Sequence, residues 1–304
     1  MPEGWEWDET LYRGSAPFYI QGRPPYAPGL ADALIKRLAP HGSARLLDVG
    51  CGPGVLTLDL APLVDEAIGL DPDPEMLAEA ARRASTLGVG NARWLQARGE
   101  DLPAGLGRFD LVTFGQSFHW MDRARVAAAV RDMLTPDGML VLVADVKSPK
   151  AAPGPLPAPP PPYEAIRSLV RRWLGPVQRA GQGRLPHGSP GDEETVLAAV
   201  GFAGPERLEL PAGPPRIRTE DDVVAWVWSL SGSAPHLFGE QRGAFEAELR
   251  GALRVASPTG VFAEAPPATD VRMWRRAPST SHDPSADNAR VGHASANDPV
   301  VSAP

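Results

Sequence analysis

A glycine-rich segment and a later aspartate have the spacing of a ligand-binding loop. Residues 48–54 have the sequence DVGCGPG and lie between an apolar run and a helical pattern. Glycines let the backbone turn sharply and let a ligand approach without steric conflict with Cβ atoms. Asp71 follows about 20 residues later, where a carboxylate can accept hydrogen bonds from ribose hydroxyls. The alternative interpretation is a tight turn followed by a solvated acid.

The spacing of the glycines departs from that of dinucleotide-binding loops. Those loops have the pattern Gly-x-Gly-x-x-Gly, and the third glycine allows close packing of the helix on the strand. Counted from Gly50, the sixth position of this chain is Val55. The segment therefore disfavours an NAD(P)-dependent oxidoreductase, which stays open as an alternative.

Composition limits the classes of protein. The chain has 304 residues, of which 43% are hydrophobic and 22% charged, which supports a sizeable core and excludes global disorder. A net charge of −7 lacks the basic stripe of a nucleic-acid-binding protein. Cys51 is the single cysteine, so an internal disulfide and a cysteine-cluster metal site are excluded, and we expect no metal. No apolar run approaches the length of a membrane span, and the start lacks the order of a signal peptide. We therefore expect a cytoplasmic protein.

Short apolar runs alternate with helical patterns between residues 44 and 144. The candidate strands are 46–49, 67–71, 94–95, 109–114 and 139–143, and the candidate helices are 55–61 and 74–87. This alternation favours a doubly wound α/β sheet with parallel strands and right-handed crossovers.

The second half of the chain is mostly helical in pattern. Candidate helices are 163–174, 192–200, 223–230 and 245–255, a strand is expected at 207–210, and 261–264 with 270–274 resembles a hairpin. Prolines cluster at 149–162, as in a spacer or a mobile loop. We predict an N-terminal arm over 1–43 and one core over 44–276 with helical insertions at about 150–190 and 219–256. The polar segment 277–304 is expected to be a disordered tail.

Five segments together resemble a known family. Residues 47–54 are similar to the S-adenosylmethionine loop of class I methyltransferases, and 68–77 to their second signature. Residues 109–112, 117–120 and 134–140 resemble the small-molecule subgroup in which a Phe-His-Trp segment follows the fourth strand. The family fold is a Rossmann-like seven-stranded sheet whose last strand is antiparallel. Helical insertions then form a cap on the acceptor side.

The resemblance implies S-adenosylmethionine as cofactor and assigns residues to it. Asp48, Gly50 and Gly52 would surround its methionine part, Asp71 would bind the ribose, and Gln116 would contact the methionyl group. A short segment around Arg23 resembles an N-terminal stretch that closes over the cofactor carboxylate, to which a guanidinium can bind bidentately. The alternative for Arg23 is a surface arginine in a proline-rich arm.

The adenine end departs from the family pattern. Met76 or Pro72 would pack against adenine, although methionine is also a common core residue. Many relatives have an aspartate that binds the adenine amine, and this chain has Arg98 there. The resemblance then leaves adenine recognition to the backbone of Gly99 and Glu100.

Methyl transfer from a sulfonium is an in-line displacement, so alignment is the main task of the protein. A base is needed only where the acceptor atom carries a proton. His119, just past the fourth strand, and His236, in the second insertion, are the candidates. The tripeptide that contains His119 can instead shape the pocket, and His236 can be a cap or a surface residue. Trp120, Trp226 and Trp228 either wall an acceptor pocket or pack the insertion on the sheet.

The leading hypothesis is an S-adenosylmethionine-dependent methyltransferase acting on a small organic acceptor, with specialised metabolism as the suggested context. We expect no nucleic-acid or membrane partner, and a monomer or homodimer. The alternative from another class is a protein that binds S-adenosylmethionine or S-adenosylhomocysteine without transferring a methyl group.

Overall fold

Strands alternate with helices in the first half of the chain. The computed structural model describes residue 8 and residues 10–38, 43–146, 155–176 and 191–278. The strands are β1 (Arg45–Val49), β2 (Glu66–Asp71), β3 (Ala92–Gln96), β4 (Phe109–Gly115) and β5 (Leu134–Asp145). The helices are α1 (Ala16–Gly22), α2 (Leu30–Leu38), α3 (Val55–Leu60), α4 (Pro74–Leu87) and α5 (Arg123–Met133).

The second half adds helices and four more strands within the described residues. The helices are α6 (Tyr163–Leu174), α7 (Glu193–Ala199), α8 (Glu220–Trp228) and α9 (Arg242–Ala256). The strands are β6 (Phe202–Leu210), β7 (Arg216–Thr219), β8 (Val261–Glu264) and β9 (Thr269–Arg276). Short 3-10 helices include Phe118–Trp120, Ser231–Ser233 and Pro235–Gln241.

Seven of these strands form one mixed sheet. Their order is β3-β2-β1-β4-β5-β9-β6. Strands β1 to β5 are parallel, and β9 runs antiparallel to both β5 and β6. The predicted α/β sheet with an antiparallel last strand is confirmed.

Helix α4 shows how the sequence sets the bounds of an element. Pro74 stands at the first helical position, and the Asp73 side chain accepts hydrogen bonds from the Glu75 and Met76 N–H groups. Gly88 follows the last helical residue with a φ of 69°, in the left-handed region that ends helices at low cost. The helix consequently presents Met76 to the carboxyl end of β2.

Apolar residues cover both faces of the sheet. Neighbouring strand residues separate by face, so that Leu47 packs in one apolar cluster and Leu46 in the other. A third cluster joins α6, α8, α9 and β8 around the fully buried Trp228. The helices of the second half therefore have a core of their own, beside the sheet.

The predicted hairpin of 261–264 and 270–274 is wrong. Strand β8 pairs with β7 in a separate two-stranded sheet, whereas β9 pairs with β5 and β6. Pro266 and Pro267 lie in the connection, and a proline fixes φ near −65°, whereas tight hairpin turns need positive φ. The connection therefore carries the chain from one sheet to the other.

The N-terminal helix packs on an element more than 200 residues later in the sequence. The Ser15 hydroxyl donates a hydrogen bond to the Trp228 carbonyl at 2.7 Å, and Gln21 Nε2 donates to Asp222 Oδ1 at 3.0 Å. A Cβ on Gly22 would lie 2.5 Å from the Ala225 carbonyl oxygen, so α1 and α8 approach as closely as glycine permits. The first part of the predicted arm, 1–7, most of the tail, 279–304, and the insertion segments 147–154 and 177–190 lie outside the described residues.

Candidate active site

A cavity opens at the carboxyl ends of β1, β2 and β4, where open α/β sheets bind ligands. It encloses about 790 Å³ including its open mouth, and we refer to it as the main cavity. Eight of the predicted cofactor residues line it: Gly50, Gly52, Asp71, Pro72, Met76, Gly99, Glu100 and Gln116. The other two, Arg23 and Asp48, line an adjoining lobe, the inner lobe, which shares Gly50, Gly52 and Gln116 with the main cavity.

A side chain would meet different surroundings at each of the three glycines of the loop. Gly50, Gly52 and Gly54 all have positive φ, at 70°, 53° and 71°. A Cβ on Gly50 would lie 2.6 Å from Ser117 Cβ, and one on Gly54 would lie 2.6 Å from Trp94 Cη2. A Cβ on Gly52 would have no atom within 4 Å. Gly52 therefore borders open space in the cavity, as a cradle for a ligand does.

Asp71 ties the end of β2 to the glycine loop. Its Oδ2 accepts a hydrogen bond from the Gly52 N–H at 2.8 Å, and its Oδ1 accepts one from the Asp73 N–H at 2.9 Å. Burial raises the pKa of Asp71 to about 6. The carboxylate is thus fixed at the cavity wall and charged at neutral pH, where its remaining lone pairs can accept hydrogen bonds from hydroxyl groups.

Asp48 lies beneath the loop, at the inner lobe. Its side chain accepts hydrogen bonds from the Thr57 hydroxyl at 2.6 Å and the Thr113 hydroxyl at 2.8 Å, so it links β1 to α3 and β4. Burial raises its pKa to about 6, although both hydroxyls favour the charged form. Asp48 therefore supports the floor of the lobe as well as lining it.

The inner lobe holds a guanidinium with an unused donor. Arg23 Nη2 donates to the Ser229 carbonyl at 2.9 Å, and the guanidinium lies over the Tyr19 ring, 5.1 Å from its centroid. The Arg23 Nε atom is buried and has no hydrogen-bond partner among the described residues. A buried donor without a partner is costly, and an anionic ligand group in the lobe would satisfy it.

Two polar residues stand where the main cavity meets the lobe. Gln116 has a φ of 54°, which is uncommon for a residue other than glycine, and its N–H donates to the Val143 carbonyl at 2.9 Å. Asp145, at the end of β5, lines the lobe, and burial raises its pKa while the Gln116 side chain lowers it by hydrogen bonding. Sequence reasoning missed Asp145, although an acid that ends an apolar strand is the signal that identified Asp71.

Arg98 and Glu100 form the opposite wall. Arg98 Nε lies 3.6 Å from Glu100 Oε2 in an ion pair, and Glu100 Oε1 accepts a hydrogen bond from the Asp122 N–H at 2.7 Å. Met76, which is 2% exposed, also lines the main cavity. Where many relatives have an aspartate, this chain therefore has an ion-paired arginine at the edge of the cavity.

Aromatic residues of the arm cover the cavity, and sequence reasoning missed them. Tyr12 and Tyr19 line the main cavity, and Tyr12 packs edge-on against Trp120 with ring centroids 6.1 Å apart. Burial raises the pKa of Tyr12 to about 12, so its hydroxyl keeps its proton at neutral pH. The available signal was the spacing of Tyr12, Tyr19 and Tyr26, seven residues apart in a short arm.

Neither histidine predicted as a base is among the described residues that line the main cavity or the inner lobe. Trp120 lines the main cavity, and the His119 ring packs against the Trp120 ring at 4.8 Å between centroids. His236 Nδ1 lies 3.0 Å from the Arg13 carbonyl oxygen, in a hydrogen bond to the arm. The role of either residue as a base therefore stays a prediction.

The tryptophans divide between the two interpretations. Trp120 lines the main cavity, Trp228 is fully buried in the core of the helical part, and Trp226 packs against Tyr163 with ring centroids 4.7 Å apart.

Within the described ranges, no group of three or more histidine, cysteine or acidic side chains is arranged to hold a metal ion. No helix in that part of the chain is long and apolar enough to cross a membrane.

The chain is similar to known proteins in sequence and in structure. A model of the methyltransferase domain matches residues 46–138. An uncharacterized methyltransferase of Mycobacterium tuberculosis is 36% identical over 137 residues, 45% of this chain and 53% of that protein. Nocamycin O-methyltransferase of Saccharothrix syringae is 31% identical over 211 residues, 66% of this chain and 73% of that protein. The crystal structure of YcgJ from Bacillus subtilis, 20% identical, covers 81% of this chain and 97% of its own with a TM-score of 0.47.

The chain spans about half the length of the first curated relatives it matches. The match to the nocamycin enzyme extends over 73% of that protein, well beyond the glycine loop and the strands around it. The chain belongs to the class I S-adenosylmethionine-dependent methyltransferases.

Proposed function

We propose that the protein transfers a methyl group from S-adenosylmethionine to an oxygen atom of a small organic acceptor. The observation that carries the proposal is a pair of adjoining cavities that share Gly52, with the Asp71 carboxylate lining the main cavity and Arg23, whose Nε has no partner among the described residues, lining the inner lobe. These features suit a nucleoside joined to an amino-acid tail. When bound, that cofactor supplies an electrophilic methyl group on its sulfonium.

We assign the two ends of the cofactor to the two parts of the cavity. Asp71 would take the ribose, Met76 with the Gly99–Glu100 backbone would take the adenine, and the space beside Gly52 would take the adjoining methionine part. In the inner lobe, the unused Arg23 Nε would bind the cofactor carboxylate, and Asp145 offers a negative charge to its ammonium group. A pair of opposite charges in one lobe matches the zwitterionic end of an amino acid.

The side chains around the cavity would align the acceptor and exclude water. Tyr12 and Tyr19 from the arm and Trp120 from the 3-10 helix present flat apolar walls. Orientation of two reactants can lower the barrier by about 7–11 kcal/mol without a catalytic side chain. We infer that the Phe-His-Trp segment shapes the pocket through Trp120, in keeping with the small-molecule subgroup.

We infer an acceptor oxygen that ionises by itself. No histidine is among the described residues that line the main cavity or the inner lobe, and the Tyr12 hydroxyl stays protonated. A carboxylate, or an acidic phenol or enol, is already anionic near neutral pH and needs no base. The name of the nocamycin relative, an O-methyltransferase, supports the choice of oxygen.

Calorimetric titration with S-adenosylhomocysteine, with NAD as the control ligand, is the first test. Micromolar binding of the thioether alone supports the cofactor, and mass spectrometry should then detect a gain of one methylene unit in carboxylic acids or acidic enols. Binding of S-adenosylhomocysteine without turnover of any acceptor would support a binding protein instead. Binding of NAD alone would refute the proposal.

A further inference from the structure

Two arginines of strand β7, in the small two-stranded sheet, donate hydrogen bonds to the backbone at the end of helix α1. Arg218, whose side chain is 2% exposed, donates from Nη2 to the Gly22 carbonyl at 3.1 Å and to the Asp222 carbonyl at 2.6 Å. Arg216 Nη1 donates to the Arg23 carbonyl at 3.3 Å. Two residues apart in a strand, these side chains lie on the same face. The carbonyls on both sides of the Arg23 Cα are therefore held by the same strand.

On its other side, the Arg218 guanidinium contacts strand β8 and is linked through it to helix α6. Nη1 forms an ion pair with Glu264 of β8, and the Tyr163 hydroxyl of α6 donates to the other Glu264 oxygen. Desolvation of a buried ion pair costs about as much as the attraction returns, so apolar residues would hold these elements together equally well. The charges are better explained by the direction they impose on the Gly22–Arg23 backbone.

We propose that Arg218 is a positioning residue that holds Arg23 in place for the carboxylate of the cofactor, an inference that rests on the proposed function. Arg23 has extended backbone angles, φ −84° and ψ 144°, directly after α1 ends. Its side chain begins at a backbone fixed by Arg216 and Arg218 and ends in the inner lobe with a buried Nε that has no partner among the described residues. Binding then requires less ordering of a long side chain, which is worth about two- to tenfold in affinity.

The test compares two ligands that differ in the part that Arg23 would bind. S-adenosylhomocysteine carries the carboxylate, whereas 5′-methylthioadenosine lacks the whole amino-acid end. Arg218→Lys keeps the charge opposite Glu264 but loses the planar fork that reaches two carbonyls. We expect it to weaken S-adenosylhomocysteine about three- to tenfold in calorimetry and to leave 5′-methylthioadenosine within about twofold. Arg250→Lys, in a network with Glu220, Asp221 and Glu246, is the matched control and should change neither affinity.

A double-mutant cycle with Arg23→Ala separates positioning from general stability. Arg218→Lys should add little to the loss caused by Arg23→Ala, because both act on the same contact. Equal weakening of both ligands by Arg218→Lys, or full additivity with Arg23→Ala, would overturn the inference. If Arg218→Lys does not fold, Arg216→Gln should show the same selective loss, and unchanged ligand selectivity in that variant would equally overturn it.

The outcomes for the wild type and Arg23→Ala keep the two proposals apart. A wild type that does not bind S-adenosylhomocysteine refutes the proposed function and the inference with it. Wild-type binding of S-adenosylhomocysteine together with an Arg23→Ala variant that weakens both ligands equally refutes only the role of Arg23 and Arg218.

Discussion

Gly52 and Gly54 offer a matched pair of substitutions with opposite expected effects. Both have left-handed φ, at 53° and 71°, so alanine costs each about 1–2 kcal/mol of backbone strain. The surroundings differ, because a Cβ at Gly52 meets open cavity and one at Gly54 lies 2.6 Å from the Trp94 ring. Gly52→Ala should therefore impair binding, and Gly54→Ala should impair folding.

The expected sizes follow from where the added methyl group lies. At Gly54 it overpacks the contact between the loop and β3, which adds about 1–3 kcal/mol to the strain. At Gly52 the same overpacking appears only when a ligand enters, so it weakens S-adenosylhomocysteine about 5- to 150-fold. The free energy of unfolding of Gly52→Ala should then fall by only about 1–2 kcal/mol.

Urea unfolding and calorimetric titration of both variants measure these effects. Titration at a temperature where both variants are folded separates affinity from stability. Wild-type affinity in Gly52→Ala would refute the placement of the cofactor against the loop. A larger loss of stability in Gly52→Ala than in Gly54→Ala would refute the account of the packing.

Three further predictions concern titratable groups. Burial raises the pKa of Asp48 from 3.8 to about 6, so the folded state binds the proton more tightly and stability falls as pH rises from about 4 to 6. Asp48→Asn should therefore exceed the wild type by up to about 3 kcal/mol in urea unfolding at pH 8, and by much less at pH 4. Asp71→Asn should weaken S-adenosylhomocysteine and abolish the loss of affinity expected for the wild type below about pH 6, where Asp71 is protonated. His119→Ala should keep its turnover and pH profile with an acidic acceptor, and a shifted profile would restore His119 as the base.

Local signals predicted the sheet and the glycine loop. The bounds of α4 and α6 were predicted to the residue, because proline, capping and glycine signals act within a few positions. The loop was identified by its glycines, and Asp71 by its place at the end of an apolar run about 20 residues after the loop. The strand order brings both to one edge of the sheet.

Contacts between distant segments were beyond such signals. The pairing of β8 with β7 and the packing of Tyr12 on Trp120 depend on residues that the sequence separates widely. The histidines were proposed from their position after a strand and in an insertion, and position in the sequence does not show that neither lines the main cavity or the inner lobe. Asp145 was overlooked because, unlike Asp71, it has no glycine-rich loop about 20 residues before it.

The residues of the proposed site lie both inside and outside the domain that the family model matches. Residues 46–138, which the family model matches, contain Asp71 and Met76, which we assign to the nucleoside. The carboxylate side depends on Arg23, which is held by Ser229 and by strand β7, about 200 residues away in the chain. A protein reduced to the matched domain would keep the contacts to the ribose and lose the partner of the carboxylate. In this proposal, affinity for the amino-acid end of the cofactor depends on the arm and on the second half of the chain together, and changes in either should alter it without touching the glycine loop.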